Sequence, residues 1–144
     1  MGRRPGDSSD RMFLVVVMEF APDSAGLALK ALKAEGLTAL VLPHPSHVKL
    51  ATDQMRPRVF VVDSAVPGEG ELAAIRKMRG KERSGSLIVI LLGEAPEEKL
   101  SVEMCELVDA YIRKPIAWSK VALTVVQLVN NRRPPSGVSL LRKV

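Results

Sequence analysis

The sequence contains very little cysteine and few aromatic residues. Cys105 is the single cysteine among 144 residues, and one thiol can form neither an internal disulfide nor a cysteine-rich zinc site. The aromatic residues number five, one Trp, one Tyr and three Phe, which is too few for a platform on which single-stranded nucleic acid would stack. The fold must therefore be held together by an aliphatic core.

Long hydrophobic runs are also missing. No apolar run approaches the roughly 20 residues that span a bilayer. The run from Met12 to Met18 has seven residues and charged flanks, and no small-residue cleavage site follows it, so it is not a signal peptide. The sequence therefore predicts a cytoplasmic protein without a membrane segment.

The chain carries a net charge of +5, and the excess lies near its two ends. Residues 1–12 contribute +1 and residues 132–144 contribute +4, whereas residues 13–131 balance 14 basic with 14 acidic side chains. A neutral body argues against binding to nucleic-acid phosphates. We expect a disordered leader (residues 1–11, rich in Gly, Pro and Ser), one domain (residues 12–131) and a flexible basic tail (residues 132–144).

Within the body, short apolar runs alternate with segments of helical periodicity. The predicted strands are Phe13–Met18, Ala39–Leu42, Val59–Val62, Leu87–Leu92 and Ala110–Arg113. The predicted helices are Asp23–Glu35, Ser46–Met55, Glu71–Arg79, Pro96–Leu107 and Trp118–Asn131. Continuous apolar strands are typical of a parallel sheet covered on both faces. The prediction is an α/β fold, a doubly wound, flavodoxin-like (βα)5 arrangement with five parallel strands in the order 2-1-3-4-5.

Ligand chemistry in such a sheet belongs at the carboxyl ends of the strands. Those ends carry Glu19, Asp63, Leu92 and Lys114, and no Gly-rich phosphate loop follows the first strand. An aspartate, a lysine and a further acid at one edge suit phosphoryl transfer to a carboxylate. Asp63 would be the nucleophile, Lys114 would neutralise phosphoryl charge, and Glu19 would help to hold a divalent metal.

Two segments resemble the fingerprints of the receiver domain of two-component response regulators. They are VFVVDSAVPG (Val59–Gly68) and DAYIRKPI (Asp109–Ile116). The similarity runs from about Met12 to about Asn131, nearly the whole chain. The resemblance implies a chemotaxis-regulator fold and a Lys114–Pro115 peptide bond that can adopt the cis form, which proline permits.

The resemblance also implies a role for each matching residue. Asp63 corresponds to the phospho-acceptor, Lys114 to the lysine that contacts the phosphoryl group, and Tyr111 to the aromatic switch residue. A Mg²⁺ ion would be held by Glu19, Asp63 and the backbone carbonyl of Ala65. A histidine kinase is the implied phosphate donor.

Two positions depart from the receiver pattern. Met18 stands where receivers carry the first of two adjacent acids, and Mg²⁺ does not favour a thioether ligand. Leu92 stands where receivers carry a Thr or Ser whose hydroxyl binds the phosphoryl oxygen, and leucine cannot donate a hydrogen bond. Both departures affect metal-assisted phosphorylation and its readout. We therefore expect an atypical receiver with a weak Mg²⁺ site, in which Asp63 is a relic or a weakly active acceptor.

Three functions compete. The first is a stand-alone, non-enzymatic signalling module that binds a partner protein, or a second copy, through the face formed by the fourth helix, fifth strand and fifth helix. That face carries Glu103, Glu106, Tyr111, Trp118 and Lys120, and Trp118 is a candidate interface anchor. The second is a phosphotransfer receiver that accepts phosphate on Asp63 from a histidine kinase. The third, a hydrolytic enzyme using Asp63, ranks last because no second acid adjoins this residue.

Overall fold

Six strands form a single sheet in the computed structural model, which describes residues 14–19, 25–42, 57–64, 68–80 and 87–141. The side chains of Leu14 and Glu19 are not among the described parts. The strands are β1 (Leu14–Glu19), β2 (Thr38–Leu42), β3 (Val59–Asp63), β4 (Ile88–Gly93), β5 (Ala110–Arg113) and β6 (Val138–Leu140). Their order is β2-β1-β3-β4-β5-β6. Neighbours among β1 to β5 pair in parallel, so the predicted fold class and the order 2-1-3-4-5 are confirmed.

Four α-helices accompany the described strands. They are α1 (Ala25–Ala34), α2 (Glu69–Gly80), α3 (Val102–Leu107) and α4 (Trp118–Val129). The fourth predicted helix, Pro96–Leu107, is shorter than expected, because a 3₁₀ turn at Glu97–Lys99 precedes α3. Ser101 sets the start of α3, since its hydroxyl accepts a hydrogen bond from the Met104 N–H at 3.1 Å. The predicted leader and the predicted helix Ser46–Met55 lie outside the described residues.

The central strands β3 and β4 bury both of their faces, which explains why they are continuously apolar. Successive side chains of a strand point to opposite faces, so Val16 and Met18 belong to one core and Val15 and Val17 to the other. The first core is completed by α2 and α3 and the second by α1 and α4. Every residue of β3 is buried. The sheet is therefore a rigid platform between two helical layers.

The sixth strand goes beyond the predicted five-stranded sheet, and it lies within the predicted tail over residues 132–144, of which residues 132–141 are described. Val138–Leu140 pairs antiparallel with β5. Val138 packs against the core beneath α1 and α4, Leu141 packs against the opposite core, and the Leu141 N–H donates to the Asp109 carbonyl at 2.8 Å. The segment is ordered because it covers the edge of both cores.

None of the helices within the described ranges is long and apolar enough to cross a membrane.

Candidate functional site

The parallel strands bring the predicted site residues to one edge of the sheet. Glu19, Asp63, Leu92 and Ile112 are register partners across β1, β3, β4 and β5. Lys114 follows β5 directly, and its N–H donates to the Gly93 carbonyl at 2.7 Å. The parallel register therefore places positions 63 and 114 together, although 51 positions separate them in the sequence.

Asp63 and Lys114 form an ion pair. The Lys114 Nζ donates to Asp63 Oδ1 at 2.7 Å, with 2% of the Asp63 side chain and 26% of the Lys114 side chain exposed. A carboxylate buried to this degree needs a charged or hydrogen-bonding partner. The Lys114–Pro115 peptide bond is cis, as the resemblance implied. The pair can hold a negative charge at the sheet edge, and the lysine keeps contact with solvent.

Leu92 lies directly beside Asp63 in register and is buried. Its side chain belongs to the core beneath α1 and α4, where Ile112 is its neighbour across the strands. The backbone of the same position accepts a hydrogen bond from the Ser64 N–H at 3.1 Å. Position 92 therefore contributes a carbonyl and methyl groups to the surroundings of Asp63, and its side chain has no donor.

Met18 is fully buried, and its side chain belongs to the core beneath α2 and α3. Its register partner is Val62, which in turn lies beside Leu91. The thioether therefore packs among aliphatic side chains one position before Glu19. An apolar residue at this site strengthens the core and adds no oxygen ligand for a hard cation.

The predicted Mg²⁺ ligands are only partly described. Asp63 is described, whereas the Glu19 side chain and Ala65 lie outside the described parts. Among the side chains that are described, no group of three or more His, Cys, Asp or Glu residues could hold a metal ion. The donor that is present, the Asp63 carboxylate, is one of the oxygen ligands that Mg²⁺ prefers. The Mg²⁺ site stays a prediction.

Tyr111 lies inside the core rather than on the surface. Its side chain is almost fully buried, and its hydroxyl donates to the Ala95 carbonyl. Burial raises the pKa of the Tyr111 phenol, with Glu97 adding to the shift and Arg113 opposing it. The hydrogen bond fixes the ring in the inward orientation, so Tyr111 offers little surface to a partner.

The other residues of the predicted partner face differ in their accessibility. Glu103 receives a bidentate pair from Arg76 of α2, with both N–O distances at 2.6 Å. Hydrogen bonding to Arg76 lowers the pKa of Glu103. Trp118 is half-buried against the core beneath α1 and α4, whereas Glu106 is exposed. Arg76 therefore neutralises one of the negative charges that the sequence places on this face.

A second ion pair, which the sequence interpretation missed, lies at the amino end of the sheet. Arg79 near the end of α2 contacts Asp109, just before β5, at 2.6 Å. Arg79 also donates to the Leu107 and Leu87 carbonyls at 2.7 and 3.3 Å, and Asp109 accepts the Val89 N–H at 2.7 Å. The sequence shows the arginine only as one of several basic residues between positions 76 and 83.

Solved receiver domains share this architecture. A CheY-like receiver domain from Methylobacillus flagellatus matches with a TM-score of 0.69 and 19% identity, over 81% of this chain and 98% of that one. The pseudo-receiver domain of the CikA protein matches with 0.64 and 21%, over 86% and 99%. TrrA from Thermotoga maritima, in complex with Mg²⁺-BeF, matches with 0.66 and 17%, over 81% and 98%. TrrA has also been solved with the histidine kinase ThkA.

The likeness is one of fold. No protein-family model matches the sequence, and no curated protein matches it. The chain therefore has the doubly wound fold of CheY-like receiver domains. The similar structures include both a receiver domain and a pseudo-receiver domain.

Proposed function

We propose that the protein is a cytoplasmic, non-enzymatic signalling module of receiver fold that acts by binding another protein, with impaired or absent phosphorylation of Asp63. The observation that carries the proposal is the buried Leu92 in register beside Asp63. Because its side chain has no hydrogen-bond donor, it cannot hold a phosphoryl oxygen on that carboxylate.

The energetics of switching support this proposal. A ligand shifts a conformational equilibrium only by the difference between its affinities for the two states. Lys114 is the described side chain that donates a hydrogen bond to Asp63, and it would be the cation next to a phosphoryl group there. It already contacts the carboxylate before any phosphorylation. Tyr111 is buried with its hydroxyl bonded to Ala95 before any modification. Phosphorylation of Asp63 would therefore shift the conformational equilibrium of the domain only slightly.

We propose that the partner surface is the α3–β5–α4 face, which is formed by Val102–Leu107, Ala110–Arg113 and Trp118–Val129. Because β6 already pairs with the outer edge of β5, the partner would contact the helices on either side of that strand. Val102, which is 77% exposed, Glu103 and Glu106 are exposed side chains on α3. Arg76 holds α3 through Glu103. The face is thus preformed, which reduces the entropy lost on binding.

The alternative is a phosphotransfer receiver that takes phosphate from a histidine kinase. The contact between Asp63 and Lys114 favours it, because a cation beside the acceptor would neutralise phosphoryl charge. A Mg²⁺ ion on Glu19, Asp63 and the Ala65 carbonyl would supply further positive charge. We expect this ion to bind weakly, because Met18 replaces one carboxylate.

Beryllofluoride with Mg²⁺ separates these two functions. We expect amide NMR spectra to show, at most, small shifts confined to residues next to Asp63. Shifts that extend to β5 and α3, and that disappear in Asp63→Asn, would support the phosphotransfer receiver and contradict a phosphorylation-independent module.

Partner binding is tested by affinity capture from the native host, with wild type, Val102→Asp, Asp63→Asn and Leu27→Asp as baits. Val102 and Leu27 are both exposed hydrophobic residues on helices, at 77% and 61%, so both variants should keep the fold. We expect the α3 variant to lose the partner and both Asp63→Asn and the α1 variant Leu27→Asp to retain it. If only the Asp63→Asn bait lost the partner, binding would depend on the Asp63 carboxylate and the proposed surface would be wrong.

A further inference from the structure

The edge of β5 is a strand-binding site that the chain fills with its own last strand. β5 pairs with β4 on one side and with β6 on the other. An unpaired edge of a sheet is a template for any strand with a fitting pattern. Here the fit is specific, because Val138 and Leu141 reach opposite cores.

β6 is held by a small contact. The strand has three residues, none of them fully buried, and Leu140 is 48% exposed. Short strands at the edge of a sheet with few buried apolar groups open at a low free energy compared with the core. β6 should therefore leave β5 far more often than the central strands separate from one another.

The connection from α4 to β6 favours an extended path. It contains Pro134 and Pro135 in succession, and proline disfavours helical backbone at the residue before it. Asn131 and Gly137 have positive φ values of 57° and 91° at either end of the connection. Eight extended residues, 130–137, reach roughly 26 Å, which is several times the spacing between neighbouring strands, about 4.8 Å. The connection is long enough to carry β6 to a neighbouring molecule.

We propose that two copies of this chain form a dimer by exchanging β6, so that each β6 pairs with the β5 of the other copy. Every bond and packing contact of β6 is the same in the exchanged form, because the receiving edge is identical in both copies. Exchange of an identical element is for this reason a low-cost route to a dimer.

Disulfide trapping between two single-cysteine chains tests this proposal. Leu141 donates to Asp109 across the strands, so the adjacent pair of Ala110 and Leu140 is of the closer, non-hydrogen-bonded kind, which suits a disulfide. Ala110→Cys and Leu140→Cys are made separately in a Cys105→Ser background. One is labelled with ¹⁵N, and the two full-length chains are mixed, incubated at high concentration and oxidised.

We expect a covalent dimer with the mass of one labelled and one unlabelled chain. The control pair is Leu123→Cys with Leu140→Cys. Leu123 of α4 is not a register partner of β6, and at 38% exposed it is more accessible to a second chain than the buried Ala110. Ala110→Cys/Leu140→Cys in one chain checks the geometry. If that double variant closes within a single chain while the mixed chains stay monomeric, or if the control pair cross-links equally well, β6 exchange is wrong. Failure of the partner-capture experiment leaves this result unaffected.

Discussion

The two ends of the sheet each carry an aspartate paired with a basic side chain, and the two pairs are built differently. At the amino end, Arg79 and Asp109 have 10% and 22% of their side chains exposed. They bond to each other and to the backbone of Leu87, Val89 and Leu107. At the carboxyl end, Lys114 contacts Asp63, and 26% of the lysine side chain reaches solvent.

This difference separates a structural role from a chemical one. Arg79 and Asp109 connect α2 and the start of β5 with the start of β4 and the end of α3. Both charged side chains also form hydrogen bonds with backbone groups. Lys114 keeps 26% of its side chain in solvent and can turn toward another anion. A charge that can change its partner is suited to a ligand, whereas a charge enclosed by backbone groups is suited to stability.

The largest effect is expected at the amino end. Asp109→Ala removes the carboxylate that Arg79 contacts at 2.6 Å and the acceptor of the Val89 N–H, so we expect a loss of about 3–5 kcal/mol in the free energy of unfolding. Urea denaturation measures it. Asp109→Asn is the matched control, because the amide oxygen can still accept that N–H and a smaller loss should follow. A loss below that of the carboxyl-end variants would contradict the assignment of roles.

The carboxyl end should respond asymmetrically. Lys114→Ala leaves the buried Asp63 carboxylate without its partner, and we expect a loss of about 2 kcal/mol. Asp63→Asn removes the buried charge while the half-buried lysine turns to water, so its effect should stay within about 1 kcal/mol. Urea denaturation of both variants at one pH gives the comparison. Equal losses would show that both members of this pair are structural.

Tyr111 lies on β5, between Asp109 at the amino end of the strand and Lys114 at its carboxyl end. The titration of its phenol reports on burial between the two ion pairs. Burial raises the pKa of its phenol above the ordinary value of 10.0, so the neutral form stabilises the fold. That contribution is present below the unfolded pKa and is lost as pH rises through the folded pKa. Since Tyr111 is the sole tyrosine, phenolate absorbance reports it directly. Ionisation at a higher pH in native protein than in urea is expected, and coincident curves would contradict the buried position.

Tyr111→Phe removes the hydrogen bond to Ala95, and we expect a loss of about 1 kcal/mol in the free energy of unfolding. Urea denaturation at neutral pH measures it. A variant as stable as the wild type would show that this hydroxyl does not fix the ring.

The smallest effect is expected at the exposed pair of Arg76 and Glu103. Arg76 lowers the pKa of Glu103, so this pair stabilises the fold above the unfolded pKa and loses that contribution as pH falls through the lowered folded value. Thermal unfolding of Glu103→Gln should show a weaker loss of stability on acidification than wild type. The difference should shrink with added salt. A salt-independent difference would mean that the pair is less exposed than its geometry indicates.

The sequence interpretation succeeded where a local pattern reports on the fold. Continuous apolar runs identified the parallel strands, and the residues after them identified the edge at which Asp63 and Lys114 meet. It failed for the Arg79–Asp109 pair, since 30 positions separate these residues and nothing local marks them as partners. It also failed for β6, because a three-residue strand carries too weak a pattern.

By itself, the sequence determined the order of elements and the types of residue at the strand ends, because apolar periodicity and residue chemistry are local properties. The apolar side chain of Leu92 at the end of a strand is of this kind. Only the tertiary structure decided which charges are enclosed, which way Tyr111 is held and that β6 covers the edge of β5. Burial and hydrogen bonding depend on neighbours that packing brings together from distant positions, and no stretch of sequence contains them.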